Sequence, residues 1–191
     1  MKAKETEKDV DHDLMRRIQD GDMVAFNQMA NKFKDRLMNV ITRMVGSTEE
    51  AEDIVQETFL RVYQHRDSFD FKHCFSTWIY TIALNLGRNE LRKRKRFKFL
   101  DIFDMQGKES EIAVEMKLPS NLPSAIEKAL STLPEKYKTA FVLRDVQELP
   151  YEEIAKIMNI PLGTVKSRVN RARKQLQKKL KGHTPEDELF H

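Results

Sequence analysis

The sequence predicts an all-α protein made of two small helical domains joined by a flexible linker. Helix-forming residues dominate the 191 positions, and glycine and proline number only six each. No alternating run rich in valine, isoleucine and threonine suggests a strand. Apolar residues instead recur at spacings of three and four in two blocks, and this periodicity is lost between them. The predicted boundaries are 13–97 for the first domain, 98–122 for the linker and 123–181 for the second domain.

Capping signals divide the first domain into helices. Residues 1–12 are polar and mixed in charge, so a frayed tail is expected there. A long helix is predicted to begin at Gly21 or Asp22 and to end at Gly46. Ser47 or Thr48 then begins a helix that reaches about residue 64. A loop over 66–74 precedes a further helix, which begins near Phe75 and runs into a basic segment.

The linker and the second domain are marked by prolines. Residues 101–117 carry five acids against two lysines, and Pro119 and Pro123 lie at the end of this aperiodic stretch. Two Leu-Pro steps divide the second domain into helices predicted near 123–132, 135–146, 151–158 and 162–181. Residues 183–191 are expected to form a loose tail.

Composition excludes several classes of protein. The single cysteine, Cys74, cannot form an internal disulfide and suits a reducing compartment. It lies near His65 and His73 without a recognisable ligand spacing, so no metal and no cofactor are expected. No apolar run approaches 18 residues, which predicts a cytoplasmic protein without membrane insertion. No pattern of a nucleophile with its base, of paired carboxylates or of a phosphate loop suggests an enzyme.

The segment 151–180 has the pattern of a helix-turn-helix. Asn159 and Pro161 supply the turn, and apolar positions then recur at helical spacing. From residue 166 to residue 181 there are eight basic residues and no acid. A helix with hydrogen-bonding groups early and cations along its length fits the DNA major groove. The predicted DNA-contact residues are Thr164, Lys166, Ser167, Arg168, Asn170, Arg171 and Lys174.

Two further surfaces are predicted in the first domain. Asp53, Gln56, Glu57 and Leu60 share one helix face, which is either an ordinary solvated face or a site for a protein, since acids repel DNA. The second surface begins in the 66–74 loop and continues along the following helix, where residues 88–98 carry seven cations against one acid. Polar, aromatic and basic groups together suit single-stranded DNA. Its candidate residues are Asp67, Ser68, Phe69, Asp70, Phe71, Asn85, Arg88, Asn89 and Arg92.

Four ordered segments resemble one known family. They are Asp53-Ile-Val-Gln-Glu-Thr-Phe59, Phe75-Ser-Thr-Trp-Ile-Tyr-Thr-Ile-Ala83, Leu133-Pro-Glu-Lys-Tyr137 and Gly163-Thr-Val-Lys-Ser-Arg168. In this order and spacing, over about residues 13–181, they resemble a bacterial sigma factor of the extracytoplasmic-function (ECF) group. That group keeps only the second and fourth sigma regions. The resemblance implies a transcription initiation factor that binds core RNA polymerase, directs it to −35 and −10 promoter elements and promotes melting.

The resemblance also assigns roles to the candidate residues. Asp53, Gln56, Glu57 and Leu60 would dock on the clamp helices of the largest polymerase subunit. The 66–74 loop would capture a flipped base of the −10 element, and Asn85, Arg88, Asn89 and Arg92 would contact the separated strand. The seven candidates at positions 164–174 would bind the −35 duplex. Further implied partners are the flap of the second largest subunit and an anti-sigma factor, with a stress or envelope-response regulon.

Two other functions fit parts of the sequence. A conventional helix-turn-helix regulator that binds DNA as a homodimer would explain the second domain only. It leaves the acidic face and the first basic helix without a role. An interaction protein with a sigma-like fold, acting as a decoy for a regulator, fits less well because both basic segments are intact.

Overall fold

The computed structural model describes residues 2–104 and 123–180. The chain divides into two compact units, Met1–Leu118 and Pro119–His191. All regular secondary structure in the described residues is helical, which confirms the predicted fold class. No helix in these ranges is long and apolar enough to cross a membrane.

The described residues of the first unit, 2–104, form four α-helices. They are α1 (Lys2–Gln19), α2 (Met23–Val45), α3 (Thr48–Gln64) and α4 (Phe75–Asp104), with a 3-10 turn at Arg66–Ser68. Helices α1, α3 and α4 each pack against α2. The largest fully buried side chains of the unit include Phe33, Phe75 and Tyr80, and burial raises the pKa of the Tyr80 phenol. Each buried aromatic or aliphatic side chain contributes about 1.5–3 kcal/mol to folding.

The predicted caps of α2 and α3 are present. The Asp22 carboxylate accepts hydrogen bonds from the backbone of Val24 and Ala25 at 2.8 and 3.1 Å. A hydrogen bond from Arg17 and that from Ala25 hold the pKa of Asp22 below its usual value. Gly46 ends α2 at φ 80°, in the left-handed region that glycine adopts without strain. The Ser47 hydroxyl then accepts from the backbone of Glu50 at the start of α3.

The start of the first helix and the end of the last helix of the first unit differ from those predicted. The expected frayed tail over residues 1–12 is wrong, because α1 begins at Lys2 and both Asp11 and His12 are buried. Helix α4 continues to Asp104, beyond the predicted linker start at residue 98. No glycine or proline occurs between Gly87 and Gly107 to end that helix. The rest of the predicted linker, 105–122, and the predicted tail, 183–191, lie outside the described residues.

The described residues of the second unit, 123–180, form three short α-helices and one long one. They are α5 (Ser124–Ser131), α6 (Glu135–Phe141), α7 (Tyr151–Met158) and α8 (Leu162–Leu180), with a π-helical turn at Val142–Val146 after α6. Pro134 and Pro150 precede α6 and α7, as the two Leu-Pro steps predict. Asn159 ends α7 with φ 52° and so makes the turn into α8. Leu130, Leu133 and Leu176 belong to the core that joins α5 to α8.

Candidate nucleic-acid and polymerase interfaces

Helix α8 separates a buried stripe from an exposed polar face. The stripe consists of Val165, Val169, Ala172 and Leu176, the positions that the sequence places at helical spacing. Five predicted DNA-contact residues are exposed on the remaining surface, namely Lys166, Ser167, Asn170, Arg171 and Lys174. Thr164 and Arg168 are half-buried at the edge of this surface. The helix can therefore present its polar side chains to a duplex while its apolar side holds the unit together.

Two of these polar residues are oriented by hydrogen bonds. The Ser167 hydroxyl donates to the carbonyl of Thr164 at 2.9 Å, which leaves its oxygen free to accept. Arg171 Nη1 donates to the phenol oxygen of Tyr137 on α6 at 3.3 Å. That hydrogen bond is the main reason that the pKa of Tyr137 is lowered. Tyr137 was not identified as a site residue from sequence, since it lies 34 positions from Arg171.

Helix α8 is also fixed against the segment between α6 and α7. Arg173 forms an ion pair with Asp145, whose carboxylate raises the pKa of the arginine. Arg144 donates to the carbonyl of Leu149 at 3.0 Å, and its guanidinium lies 4.7 Å from the ring centroid of Tyr151. Arg173, like Arg171, is thus engaged in a contact within the protein. The pair of Arg173 with Asp145 links α8, which carries the predicted DNA face, to this segment.

The predicted protein-docking face lies on α3. Asp53, Gln56 and Leu60 are exposed, and the Leu60 side chain is 49% exposed although it is large and apolar. Glu57 is half-buried and accepts from Arg61 Nε at 2.7 Å, one turn along the helix. The face therefore offers carboxylates, an amide and an apolar group, a combination suited to a protein partner.

A cleft of about 440 Å³ joins this face to α4. Asp53, Glu57 and Arg61 line it from α3, and Asn89 and Lys93 line it from α4. The structure thus brings together residues predicted for polymerase docking and a residue predicted for the −10 element. The sequence does not show this proximity, because Asp53 and Asn89 are 36 positions apart.

The exposed side of α4 carries paired amide and guanidinium groups. Arg88 Nη1 donates to Asn85 Oδ1 at 3.2 Å, and Arg92 Nη1 donates to Asn89 Oδ1 at 3.1 Å. Asn85, Asn89 and Arg92 are exposed, whereas Arg88 is half-buried. In each pair the asparagine NH₂ remains available as a donor, beside a positive charge suited to a phosphate.

The basic run of α4 contains one arginine with a different role. Arg94 Nη1 donates to the carbonyl of Val45 at 2.9 Å, and the same guanidinium pairs with Glu50. Partial burial lowers the pKa of Arg94. Arg94 therefore ties α4 to the junction of α2 and α3, and the count of basic residues overstates the charge available to DNA.

The 66–74 loop presents only some of its predicted residues. Asp67, Ser68 and Asp70 are exposed and Phe71 is half-buried. Phe69 is 5% exposed, and its ring centroid lies 5.3 Å from that of Trp78 and 5.9 Å from that of Phe75. The ring of Phe69 therefore belongs to the aromatic core of the loop, and its contact with DNA stays a prediction.

Helix α1 contacts the backbone of this loop through two side chains. His12 Nε2 lies 2.9 Å from the carbonyl oxygen of His73, and Gln19 Nε2 donates to the carbonyl of Arg66 at 2.9 Å. The sequence alone does not indicate either residue, because side chains 61 and 47 positions from their partners leave no local pattern to detect.

Comparison with known proteins matches both units to one family. The family described as Sigma-70 region 2 matches residues 29–97, and the one described as Sigma-70, region 4 matches residues 124–176. The ECF RNA polymerase sigma factor SigW of Bacillus subtilis (strain 168) is 39% identical over 178 residues, covering 87% of this chain and 95% of the relative. The ECF RNA polymerase sigma-E factor of Haemophilus influenzae is 34% identical over 180 residues, covering 89% and 95%.

A solved structure supports the same relationship. The sigma factor RpoE of Bartonella quintana, in complex with the anti-sigma factor NepR, superposes with a TM-score of 0.69 at 29% identity. The match covers 83% of this chain and 98% of that one. With both sigma regions matched in order and a curated relative aligned over nearly its whole length, the chain belongs to the ECF family of RNA polymerase sigma factors.

Proposed function

We propose that this sigma factor uses three separate surfaces. It is a transcription initiation factor, which binds core RNA polymerase and directs it to promoters. One surface on α3 docks on polymerase. A second, formed by the 66–74 loop and α4, holds the melted −10 element. A third, on α8, binds the −35 duplex. In this proposal sigma region 2 occupies residues 13–97 and sigma region 4 occupies residues 123–181.

The polymerase surface consists of Asp53, Gln56, Glu57 and Leu60. Its carboxylates are unfavourable next to DNA phosphates, and an exposed leucine beside them gives a partner an apolar anchor. We assign this surface to the clamp helices of the largest polymerase subunit. The flap of the second largest subunit is the further polymerase contact in this proposal.

The melting surface acts by offsetting the cost of unstacking. Each base that leaves the duplex loses stacking and pairing, and a protein favours the open state by binding unpaired bases and one backbone. Asn85, Asn89 and Arg92 offer donors and positive charge along α4. The exposed loop residues Asp67, Ser68 and Asp70, and the half-buried Phe71, precede α4 in the chain. We propose that an unpaired −10 base is held at the loop while α4 contacts the separated strand.

The −35 surface is the exposed side of α8. Asn170 and Arg171 are the residues proposed to contact base edges, since an amide and a guanidinium suit adenine and guanine in the major groove. Lys166 and Lys174 are proposed to contact phosphates. Ser167 and Thr164 complete the early part of the helix, and Arg168 lies at the edge of the contact.

The cleft between α3 and α4 is the observation that carries the proposal. It places the docking residues Asp53 and Glu57 beside Asn89, which is assigned to the separated strand. A polymerase subunit bound to α3 would therefore border the path of the DNA strand on α4. We propose that this proximity lets docking on α3 influence how α4 holds the separated strand.

Four further expectations belong to the same proposal. The chain itself makes and breaks no covalent bond, since nucleotide addition belongs to the core polymerase, and it acts in the cytoplasm, where the promoter is. The similarity to a sigma factor solved with an anti-sigma factor supports an anti-sigma partner for this chain as well. A stress or envelope-response regulon is consistent with such control.

The combined change Asp53→Ala with Gln56→Ala tests the docking surface. We expect the affinity of the full chain for core polymerase to fall about tenfold or more, the effect of losing central interface residues. Binding of the full chain to −35 duplex DNA should stay within about twofold, because α8 is unaltered. Surface plasmon resonance with immobilised core measures the first quantity, and fluorescence anisotropy measures the second.

Glu52→Ala is the matched control for this test. Glu52 is also an exposed acid of α3, but it precedes Asp53 and projects about 100° around the helix from it. It should leave core affinity unchanged. Full core affinity in the double variant would show that α3 does not dock on polymerase, and an equal loss in Glu52→Ala would reduce the effect to net charge.

A further inference from the structure

Helix α1 contacts both ends of the 66–74 loop. The carbonyl oxygen of His73 can only accept, so His12 must carry its proton on Nε2 and donate across 2.9 Å. At the other end, Gln19 Nε2 donates to the carbonyl of Arg66, also at 2.9 Å. Two side chains from one helix thus satisfy backbone oxygens at the first and the penultimate residue of the loop.

The same helix supports the middle of the loop. The His12 ring lies edge-on to Phe69 and Phe71, with centroid separations of 5.8 and 5.4 Å. The guanidinium carbon of Arg16 lies 5.2 Å from the centroid of Phe71. His12 is 7% exposed, so it acts from beneath the loop and is not itself presented to DNA.

Helix α1 is held firmly enough to serve as this support. Met15 and Ile18 are fully buried, and Asp11 pairs with Lys32 of α2. The loop has only one 3-10 turn of its own, and ordering each backbone residue costs conformational entropy. Contacts to a packed helix therefore help to fix the conformation of a segment with so little regular structure.

We propose that His12 is a positioning residue for recognition of the −10 element. It sets the conformation in which the loop selects an unpaired base, without contacting that base. This inference rests on the proposed function of the loop. A rigid, preformed site discriminates between bases because the wrong base leaves fixed polar groups unpaired, whereas a mobile loop can adapt to either base.

The test measures base discrimination by the holoenzyme. Open-complex formation is followed by permanganate reactivity on promoters in which each −10 base is changed singly. Discrimination is the ratio of open complex on the preferred base to that on the changed base. A good base contact sets this ratio at about tenfold. For His12→Ala we expect the ratio to fall to about threefold or less at one −10 position.

Three further variants separate positioning from a general loss of structure. His12→Gln keeps an amide Nε2 that can donate to His73, so it should recover at least half of the lost discrimination on a logarithmic scale. Gln19→Ala removes one loop contact without altering the aromatic cluster and should lower the same ratio by a smaller factor. Asp13→Ala, an exposed neighbour on α1, should change nothing. A smaller folded fraction lowers open complex on all promoters equally and leaves the ratio unchanged.

Loop variants distinguish the two ways in which the idea can fail. If Asp67→Ala or Asp70→Ala alters discrimination while His12→Ala and Gln19→Ala do not, the loop selects a base without help from α1, and the inference is overturned. If none of these variants alters the ratio at any −10 position, the loop does not select a base, and the proposed function of the loop fails with it.

Discussion

The two units present their predicted DNA surfaces by different means. In the second unit, the surface is one side of α8, and it follows from the spacing of that helix's own apolar residues. In the first unit, part of the surface is a loop whose backbone is bound by His12 and Gln19 of α1. The difference shows that a helical recognition surface is encoded locally, whereas a loop surface depends on residues far away in the chain.

The largest expected effect comes from removing the aromatic support of the loop. Phe75 is buried against Phe33, Phe69 and Trp78. Phe75→Ala should lower the free energy of unfolding of the first unit by about 3–5 kcal/mol, as for other buried phenylalanines. Trp78 is the only tryptophan of the chain, so its fluorescence during urea unfolding reports on this unit.

The same variant also tests whether the two surfaces are independent. Duplex binding through α8 should stay within about twofold at urea concentrations where the second unit remains folded. A parallel loss of affinity for the −35 duplex would show that binding through α8 depends on the fold of the first unit. Unchanged Trp78 unfolding would show that the aromatic cluster does not stabilise the first unit.

A smaller effect is expected on the exposed side of α8. Arg171→Ala should weaken binding to a −35 duplex by about 1–3 kcal/mol, the range for a base contact. Fluorescence anisotropy on the preferred duplex and on an unrelated one measures the effect. A base contact predicts a loss on the preferred sequence only, and an equal loss on both would identify Arg171 as a phosphate contact.

The smallest effect is expected from the hydrogen bond between Tyr137 and Arg171, a predicted site residue of α8. Tyr137→Phe removes the phenol oxygen that accepts from Arg171 and keeps the ring in the core. We expect a loss of about threefold in −35 affinity, because the lost hydrogen bond is long, at 3.3 Å, and acts only by orienting the guanidinium of Arg171. With Arg171→Ala already present, the same change should have no further effect. An additive loss in the double variant would mean that Tyr137 acts independently of Arg171.

The parts that sequence predicted correctly share a local origin. The buried stripe of α8 follows from spacing, and the ends of α2 follow from Asp22 and Gly46. Three features could not be predicted because they depend on distant partners. Tyr137 gains its role from Arg171, and His12 gains its role from the loop. Phe69 looked available for stacking because the sequence does not show that Phe75 and Trp78 enclose its ring.

The basic run of α4 shows that the charge available to DNA also depends on distant partners. Arg92 and Arg94 are equivalent in composition, yet Arg92 is exposed whereas Arg94 is bound to Val45 and Glu50. The structure shows which arginines remain for DNA, and the sequence shows only how many there are. The exposed residues of α8 could be predicted from its sequence, because they lie opposite its own apolar stripe.

The central claim is that promoter recognition needs both DNA surfaces together with polymerase docked on α3. Transcription in vitro from promoters carrying a −35 element, a −10 element or both, with and without core polymerase, tests it most directly. The account predicts specific initiation only with core and both elements present, and no promoter-specific binding of comparable strength by the chain alone. Tight, sequence-specific binding by a dimer of the isolated chain would contradict it.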